Sequence, residues 1–215
     1  LGRDLWARIW QGARVSLLIG LVAAVMQLTL GVLIGGIAGY FGGVVDLVVM
    51  RVTEIMDAIP FLILVILVMM VFGSGIVPLI IAFAITGWIS MARLIRGQVL
   101  QLKNQEFMLA ARSMGAGSMK VIFKHLMPNM VGVLIVTLTL KIPQAIFSEA
   151  FLSYIGIGVT PPQTSWGQLA NLGSQVMSVH PYQLLIPAFF ISTMMLALQL
   201  LGDGLRDALD PKLRK

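Results

Sequence analysis

Long runs of apolar residues alternate with short polar segments along the whole chain. A helix needs about 20 mostly apolar residues to cross the roughly 30 Å hydrocarbon core of a bilayer, and five runs meet that requirement. They cover about residues 15–41, 47–72, 76–94, 130–157 and 182–201. The runs lack the alternation of polar and apolar positions that is typical of membrane β-barrels. The pattern therefore predicts an all-α membrane protein with five transmembrane helices.

The composition also favours a bilayer as the solvent. Of the 215 residues, 58% are hydrophobic and 11% are charged, which is unlike a water-soluble domain. The net charge of +6 does not indicate a nucleic-acid site, because the cations are not gathered on one basic face with aromatic residues between them. The chain has no cysteine and its only histidines are His125 and His180, so neither a disulfide nor a dedicated metal site is predicted.

The positions of lysine and arginine predict the orientation of the spans. The connection at 93–128 and the C-terminal tail from Arg206 onward carry most of the cations, and the span count places both on one side. We therefore expect these two segments to be cytoplasmic and the beginning of the chain to be external. Arg3, Arg8 and Arg14 go against the rule, since they fall on the external side.

The polar connection at 105–128 predicts two short helices joined by a glycine turn. One side of the first helix carries four residues at helical spacing: Phe107, Ala110, Ala111 and Met114. Gly115 and Gly117 end this helix, Ser118 suits the N-cap of the second, and Pro128 ends the unit and starts the next span. Such a unit fits a groove on a soluble partner; the alternative is a helix on the membrane surface with its lysines against anionic lipid.

Part of this connection resembles the coupling motif of ABC importer permeases. That motif reads Glu-Ala-Ala, three residues, Gly, nine residues, Ile, any residue, Leu-Pro. The chain matches it at Ala110, Ala111, Gly115 and Pro128. It departs from it at Leu109, His125 and Met127. Two further segments, LGRDLWARIWQGARVSLLIG at 1–20 and SEAFLSYIGIGVTPPQTSWGQLA at 148–170, are similar to the dipeptide, oligopeptide and nickel group of these permeases, particularly to the second of their paired membrane subunits.

The resemblance implies one permease domain over 1–215 with the fold of a type I ABC importer transmembrane domain. It implies a multi-pass subunit of the cell (inner, plasma) membrane, with an additional first helix that this chain lacks. The implied partners are a homologous second permease, two ATP-binding subunits and an external solute-binding protein. Peptides are the first expected cargo, and nickel or another small solute is the second.

The resemblance also implies that ATP is hydrolysed on other subunits. No stretch of the chain has the pattern G-x-x-x-x-G-K-[ST] of a phosphate loop, so the chain is not expected to be an enzyme or to bind a cofactor. ATP and Mg are expected on the partner ATPase subunits. The residues expected to couple the ATPase subunits to the membrane helices are Phe107, Ala110, Ala111, Met114, Gly115, Ser118 and Pro128.

Two charged residues fall inside the fourth apolar run. Lys141 lies near its middle, where a charge costs about 2.5–3.5 kcal/mol, and Glu149 lies two turns nearer the outside. Pro143 is expected to kink the helix between them. We predict that Lys141 and Glu149 line the translocation path; an interhelical salt bridge or hydrogen bond with a structural role is the alternative. Gln27 is predicted to hydrogen-bond between helices rather than to bind substrate.

The connection at 158–181 is external in this orientation. Its paired prolines and flanking glycines break regular helix over VTPPQTSWG, whereas GQLANLGSQVMSV predicts a short surface helix. Trp166 and Tyr182 suit a membrane interface. We expect Pro161, Pro162 and Trp166 to contribute an outer gate or a contact for the solute-binding protein, with a purely structural cap as the alternative.

Two other patterns predict packing and a charged helix end. Glycine or another small residue recurs every four positions along the first span, including Gly31, Gly35, Gly39 and Gly43, which predicts close helix packing or a subunit seam. Charged residues of the second run, Asp46, Arg51, Glu54 and Asp57, predict a solvated helix end in which Arg51 and Glu54 touch.

A secondary transporter is the main rival from another functional class. In it, Lys141 and Glu149 would couple transport to a proton or a sodium ion. Against this, five or six spans are few, and the chain shows no inverted repeat or pair of glycine-broken helices. An intramembrane hydrolase is weaker still, because no span offers a Ser with a His, or a pair of Asp, at depth.

Overall fold

The computed structural model describes residues 4–209, except for the side chains of Arg112, Met119 and Phe123. Within that range nine α-helices and one π-helical segment follow one another. They are α1 (Leu5–Phe41), α2 (Gly43–Asp57), α3 (Phe61–Phe72), α4 (Ile76–Lys103), α5 (Glu106–Ser113), α6 (Ser118–Val121), the π segment (Ile122–Leu126), α7 (Met127–Tyr154), α8 (Trp166–Ser174) and α9 (Tyr182–Leu209). Arg3 and the cations after residue 209 lie outside the described residues.

Four of the predicted spans are long apolar helices, and the remaining one is broken. By length and hydropathy α1, α4, α7 together with the end of the π segment, and α9 can each cross a membrane. The run at 47–72 is not one straight helix, because α2 and α3 meet at an angle of 84°. Pro60 explains the break, since proline disfavours helical backbone at the residue before it. The prediction of an all-α protein is confirmed, and its five predicted spans correspond to four single helices and the bent pair α2 and α3.

The first helix begins earlier than its apolar run. The run starts near Val15, whereas α1 starts at Leu5. Asp4 caps this helix, and its Oδ1 accepts a hydrogen bond of 2.8 Å from the backbone N–H of Trp6. The added turns bring Ile9 and Ala13 against α8 and α9, where they form a buried apolar cluster.

The glycine stripe of α1 packs inside the chain. A Cβ added at Gly31 or Gly35 would lie only 2.2 Å from the nearest atom of α4, and one added at Gly39 would lie 2.9 Å from α4. The prediction of close helix packing is therefore confirmed for these three glycines. Gly43 does not belong to the seam, since it begins α2 and a Cβ there would have no atom within 4 Å.

The charged residues of α2 mostly pair with α4. Three ion pairs occur here: Asp46 with Arg96, Asp57 with Arg93, and Glu54 with Arg51. The predicted contact between Arg51 and Glu54 is confirmed, with Nη1 and Oε2 2.7 Å apart. The other two pairs connect helices, so this helix end is not merely solvated. Because Arg96 holds both oxygens of Asp46, it fixes α2 against α4 with the geometry that arginine favours for carboxylates.

Candidate functional site

The short helix α5 rests on a buried apolar platform. Its residues Met108 and Ala111 are buried, and Met108 belongs to a cluster that includes Ile95 and Val99 of α4. The same cluster includes Val121, Leu126 and Met130, from α6, the π segment and α7. The platform therefore joins α5 to two of the long helices.

The predicted apolar side of α5 is divided between interior and surface. Ala111 faces the platform, which corrects its assignment to a docking side. Phe107, Ala110 and Met114 are exposed; Phe107 is 40% exposed and Met114 81% exposed. These three residues, which we call the coupling face, fall at positions i, i+3 and i+7. Phe107 and Ala110 share one side of α5, and Met114, directly after the last residue of α5, continues that side because its N–H donates to the carbonyl of Ala110 at 3.0 Å. An exposed apolar face on a short, well-anchored helix is typical of a protein contact.

A tight turn follows the coupling face. The backbone of Gly115 has φ of +78°, a conformation that glycine adopts without steric cost, and the N–H of Ala116 donates to the carbonyl of Ala111 at 3.1 Å. This is the glycine C-cap pattern of helix ends. The helix α6 then starts with Ser118 as its first residue.

Pro128 lies at the start of the next span, as predicted, but it does not separate that span from the unit. Helix α6 continues through the π segment into α7, and Pro128 lies in the first turn of α7. Proline removes a backbone donor and crowds the carbonyl four residues earlier; here the chain widens to π geometry, with the N–H of Met127 bonded to the carbonyl of Ile122. The side chain of Asn129 donates to the carbonyl of His125 at 2.7 Å. The segment after the turn is thus one continuous helix with α7.

A cavity of about 320 Å³ with a mixed polar and apolar wall lies among α1, α4, α7 and the break between α2 and α3. Its wall includes five polar side chains besides Asp57: Gln27, Thr86, Lys141, Gln144 and Ser148. Lys141, the first of the two predicted path residues, is half-buried, and its Nζ donates to Ser90 Oγ at 3.0 Å. Sequence reasoning missed the other polar lining, although the i, i+3, i+7 spacing of Lys141, Gln144 and Ser148 indicates one polar face of a helix.

Glu149, the second path candidate, lies apart from this cavity. It is fully buried, and each carboxylate oxygen accepts a 2.7 Å hydrogen bond from a hydroxyl: Oε2 from Ser16 and Oε1 from Ser153. Both hydroxyls also accept from a backbone N–H, Ser16 from that of Trp166 and Ser153 from that of Val159. Glu149 therefore joins α7 to α1 and to the segment that leads into α8, and the structure does not bring it together with Lys141.

The connection from Tyr154 to α9 is partly irregular and partly buried. Pro161 and Pro162 are exposed, in a stretch without regular helix as predicted. Trp166 is only 2% exposed, and its Nε1 donates to the carbonyl of Ile9 at 3.0 Å. The side chain of Trp166 therefore does not itself offer an external contact, contrary to prediction, because α1 and α9 cover it.

The helix after this stretch is a core element rather than a surface helix. Most of α8 is buried, and a Cβ at Gly167 would lie 2.2 Å from the carbonyl oxygen of Ala150. A Cβ at Gly173 would lie 2.5 Å from the backbone of α9. Small residues at Gly167, Ala170 and Gly173 are spaced by three, which is the signal that could have predicted this close packing.

Comparison with known proteins identifies the family. Residues 31–215 match the family described as binding-protein-dependent transport system inner membrane component. The chain belongs to this family. Over its full length it is 52% identical to the oligopeptide transport system permease protein OppC of Bacillus subtilis strain 168, covering 70% of that relative. It is 50% identical to the dipeptide transport system permease protein DppC of the same organism, covering 68% of that relative. The resemblance to ABC importer permeases of this group is confirmed.

Solved structures support the fold. The inward-facing MetNI methionine ABC transporter aligns with 96% of this chain and 96% of its own, at 20% identity and a TM-score of 0.70. An amino acid ABC transporter aligns with 97% of this chain and 100% of its own, at 17% identity and a TM-score of 0.69. These similarities show that the chain has the fold of a type I ABC importer transmembrane domain.

Proposed function

We propose that this chain carries di- and oligopeptides across the cell membrane as the permease subunit of an ATP-driven importer. The names of the relatives at 52% and 50% identity support peptide cargo. A homologous second permease would complete the path, two ATP-binding subunits would hold ATP and Mg, and an external solute-binding protein would deliver the cargo. The coupling loop at 105–128 and the C-terminus would face the cytoplasm, where the excess of cations favours them.

The coupling face is the observation that carries this proposal. Phe107, Ala110 and Met114 are exposed while their helix is held from behind by Met108. A partner ATPase that covers this face would push on α4 through the platform, and on α7 through the unbroken helix that follows Ser118. Rigid shifts of packed helices are a common way to convert closure of one domain into opening of another.

The proposed site of cargo delivery lies at the ends of the long helices opposite to the coupling face. Pro161 and Pro162 are exposed there, and the segment that carries them is held to α1 and α7 through Glu149 and its two serines. A solute-binding protein docked on this segment would contact the helices that surround the cavity. Trp166 would support this surface from the interior.

The test is the variant Met114→Glu in the complete importer, purified with its partners and reconstituted in proteoliposomes. A charge at the centre of a buried contact loses hydration without a partner, which costs at least about 1.4 kcal/mol, or tenfold in affinity. We expect the ATPase activity stimulated by the loaded binding protein, and ATP-dependent peptide uptake, to fall by about tenfold or more.

The matched control is Met177→Glu. Met177 is also exposed, but it lies in the connection between α8 and α9, near the end of α9 that packs on Gly173. The other end of α9 meets Gly132 in the first turns of α7, so Met177 and Met114 lie at opposite ends of the helices. Met177→Glu should leave the binding of the ATP-binding subunits unchanged, so equal co-purification of these subunits with the two variants would contradict coupling through Met114. Uptake that continues without ATP would contradict an ATP-driven importer.

A further inference from the structure

The cavity wall carries one positive charge that no acidic side chain neutralises among the described residues. Lys141 has a hydroxyl as its hydrogen-bond partner, Ser90 Oγ at 3.0 Å, and it appears in none of the ion pairs found within 4–209. The acidic residue of the same wall, Asp57, binds Arg93 at 2.7 Å. The net charge that the cavity presents to a ligand is therefore that of the lysine.

An ammonium group without an acidic partner at this depth lowers the stability of the protein. A lysine near the centre of a bilayer costs about 2.5–3.5 kcal/mol, and the Ser90 hydroxyl supplies only a neutral acceptor. A methionine would fill a similar volume at lower cost in the same span. A ligand that brings a negative charge to Lys141 would offset this cost while it is bound.

The rest of the wall suits a peptide chain beside that charge. Gln27 and Gln144 line the same cavity, and each amide can both donate to a carbonyl and accept from an N–H, as a peptide backbone requires. The amide of Gln27 lies against Gly87, where an added Cβ would be 2.1 Å from its Cδ, so α4 holds this side chain in place. A volume of about 320 Å³ is at the small end of ligand pockets and suits the end of a peptide.

We propose that Lys141 binds the C-terminal carboxylate of a peptide as it passes through the cavity. The inference rests on the proposed peptide transport and adds a recognition step inside the membrane. A carboxylate at Nζ would form a charge-assisted hydrogen bond, which is about twice as strong as a neutral one. The amides of Gln27 and Gln144 would meet the peptide groups that precede the carboxylate.

The experiment compares a tripeptide that has a free C-terminus with the same tripeptide amidated. Uptake is measured as kcat/KM in proteoliposomes that contain the complete importer, with wild-type chain or with Lys141→Gln. The binding protein is the same in all four combinations, so its own preference for the free peptide cancels when the free-to-amidated ratios of the two importers are compared. Lys141→Arg keeps the charge, and Ser148→Ala changes an uncharged residue of the same wall.

We expect Lys141→Gln to lower the free-to-amidated ratio by about tenfold, the value of one hydrogen bond to a charged group. Lys141→Arg should retain most of the wild-type ratio, and Ser148→Ala should leave it unchanged even if total uptake falls. ATPase stimulation by the loaded binding protein shows that each variant has assembled. Equal ratios in wild type and Lys141→Gln would overturn the inference. Wild-type importer that takes up neither peptide would instead overturn the proposed peptide transport.

Discussion

Replacing Gly35 by alanine tests whether the seam between α1 and α4 holds the fold together. The added Cβ would lie 2.2 Å from the carbonyl oxygen of Ala92 and 2.8 Å from its Cα. Ordinary contact begins at 3.4 Å, so the two helices would have to separate by about 1 Å. Both obstructing atoms belong to the backbone of α4, and no side-chain rotation can relieve the clash.

The magnitude follows from two opposing terms. Overpacking a close contact costs about 1–3 kcal/mol, and a contact between two backbones belongs at the upper end of that range. Alanine returns about 1 kcal/mol through its higher helix propensity. The net loss is about 2 kcal/mol, which corresponds to a fall in Tm of about 4–8 °C for a chain of this size.

Gly36 supplies a matched control on the same helix. A Cβ there would meet no atom within 4 Å, so Gly36→Ala keeps the propensity gain without the clash. We expect its Tm to rise by about 2–4 °C. The assay is thermal unfolding of the complete importer in nanodiscs, followed by tryptophan fluorescence. If Gly35→Ala and Gly36→Ala unfolded at the same temperature, the backbone contact between α1 and α4 would not contribute to stability.

Two further predictions concern buried polar groups. Glu149→Ala leaves two serine hydroxyls without their acceptor, at about 1–3 kcal/mol each, whereas Glu149→Gln keeps one acceptor oxygen. Proteolysis of the segment around Pro161 should therefore be fast in the alanine variant and slower in the glutamine variant. Equal rates of proteolysis would contradict this account. Arg96→Gln leaves the mostly buried Asp46 without its partner and should lower the Tm of the importer. Arg51→Gln breaks an exposed pair worth less than about 1 kcal/mol, so a Tm loss as large as that of Arg96→Gln would refute the distinction.

The helices and the glycine seam could be predicted because the signals are local. Twenty apolar residues specify a spanning helix wherever the rest of the chain lies, and small residues four apart specify one bare side of that helix. Gly31, Gly35 and Gly39 therefore predicted close packing without knowledge of the partner. The identity of the partner, α4, depends on the tertiary fold and could not be obtained from spacing.

The position of Trp166 could not be predicted for the same reason. Tryptophan is common both at membrane interfaces and in protein cores, and its hydropathy does not distinguish them. In the structure Trp166 is held by Ile9, which is far away in sequence: the carbonyl of Ile9 accepts a hydrogen bond of 3.0 Å from the indole N–H. That carbonyl is available because α1 extends past its apolar run to the cap at Asp4.

The coupling loop shows that helical spacing alone does not predict which side of a short helix is buried. Helical spacing grouped Phe107, Ala110, Ala111 and Met114, and three of the four share the exposed face. Ala111 turned inward because Met108 anchors the helix on α4, and an anchor is visible only once the platform exists. Pro128 was assigned as the boundary between this unit and the next span because proline normally breaks helices. It does lie at the start of α7, but the π segment keeps α7 continuous with α6.

Helix α7 connects the three regions of the chain to which functions are proposed above. At a rise of about 1.5 Å per residue, Lys141 lies about 21 Å and Glu149 about 33 Å along the helix from Met127. The coupling turn is continuous with its first end, Lys141 faces the cavity from its middle, and Glu149 fastens its far end to α1 and to the segment before α8. Under the proposed mechanism, a displacement at the coupling face would therefore reach the cavity and the external segment through one rigid element. The external segment would then move with α7, because Ser153 of α7 accepts a hydrogen bond from the backbone N–H of Val159, and a buried N–H that lost this acceptor would be left unsatisfied at low local dielectric.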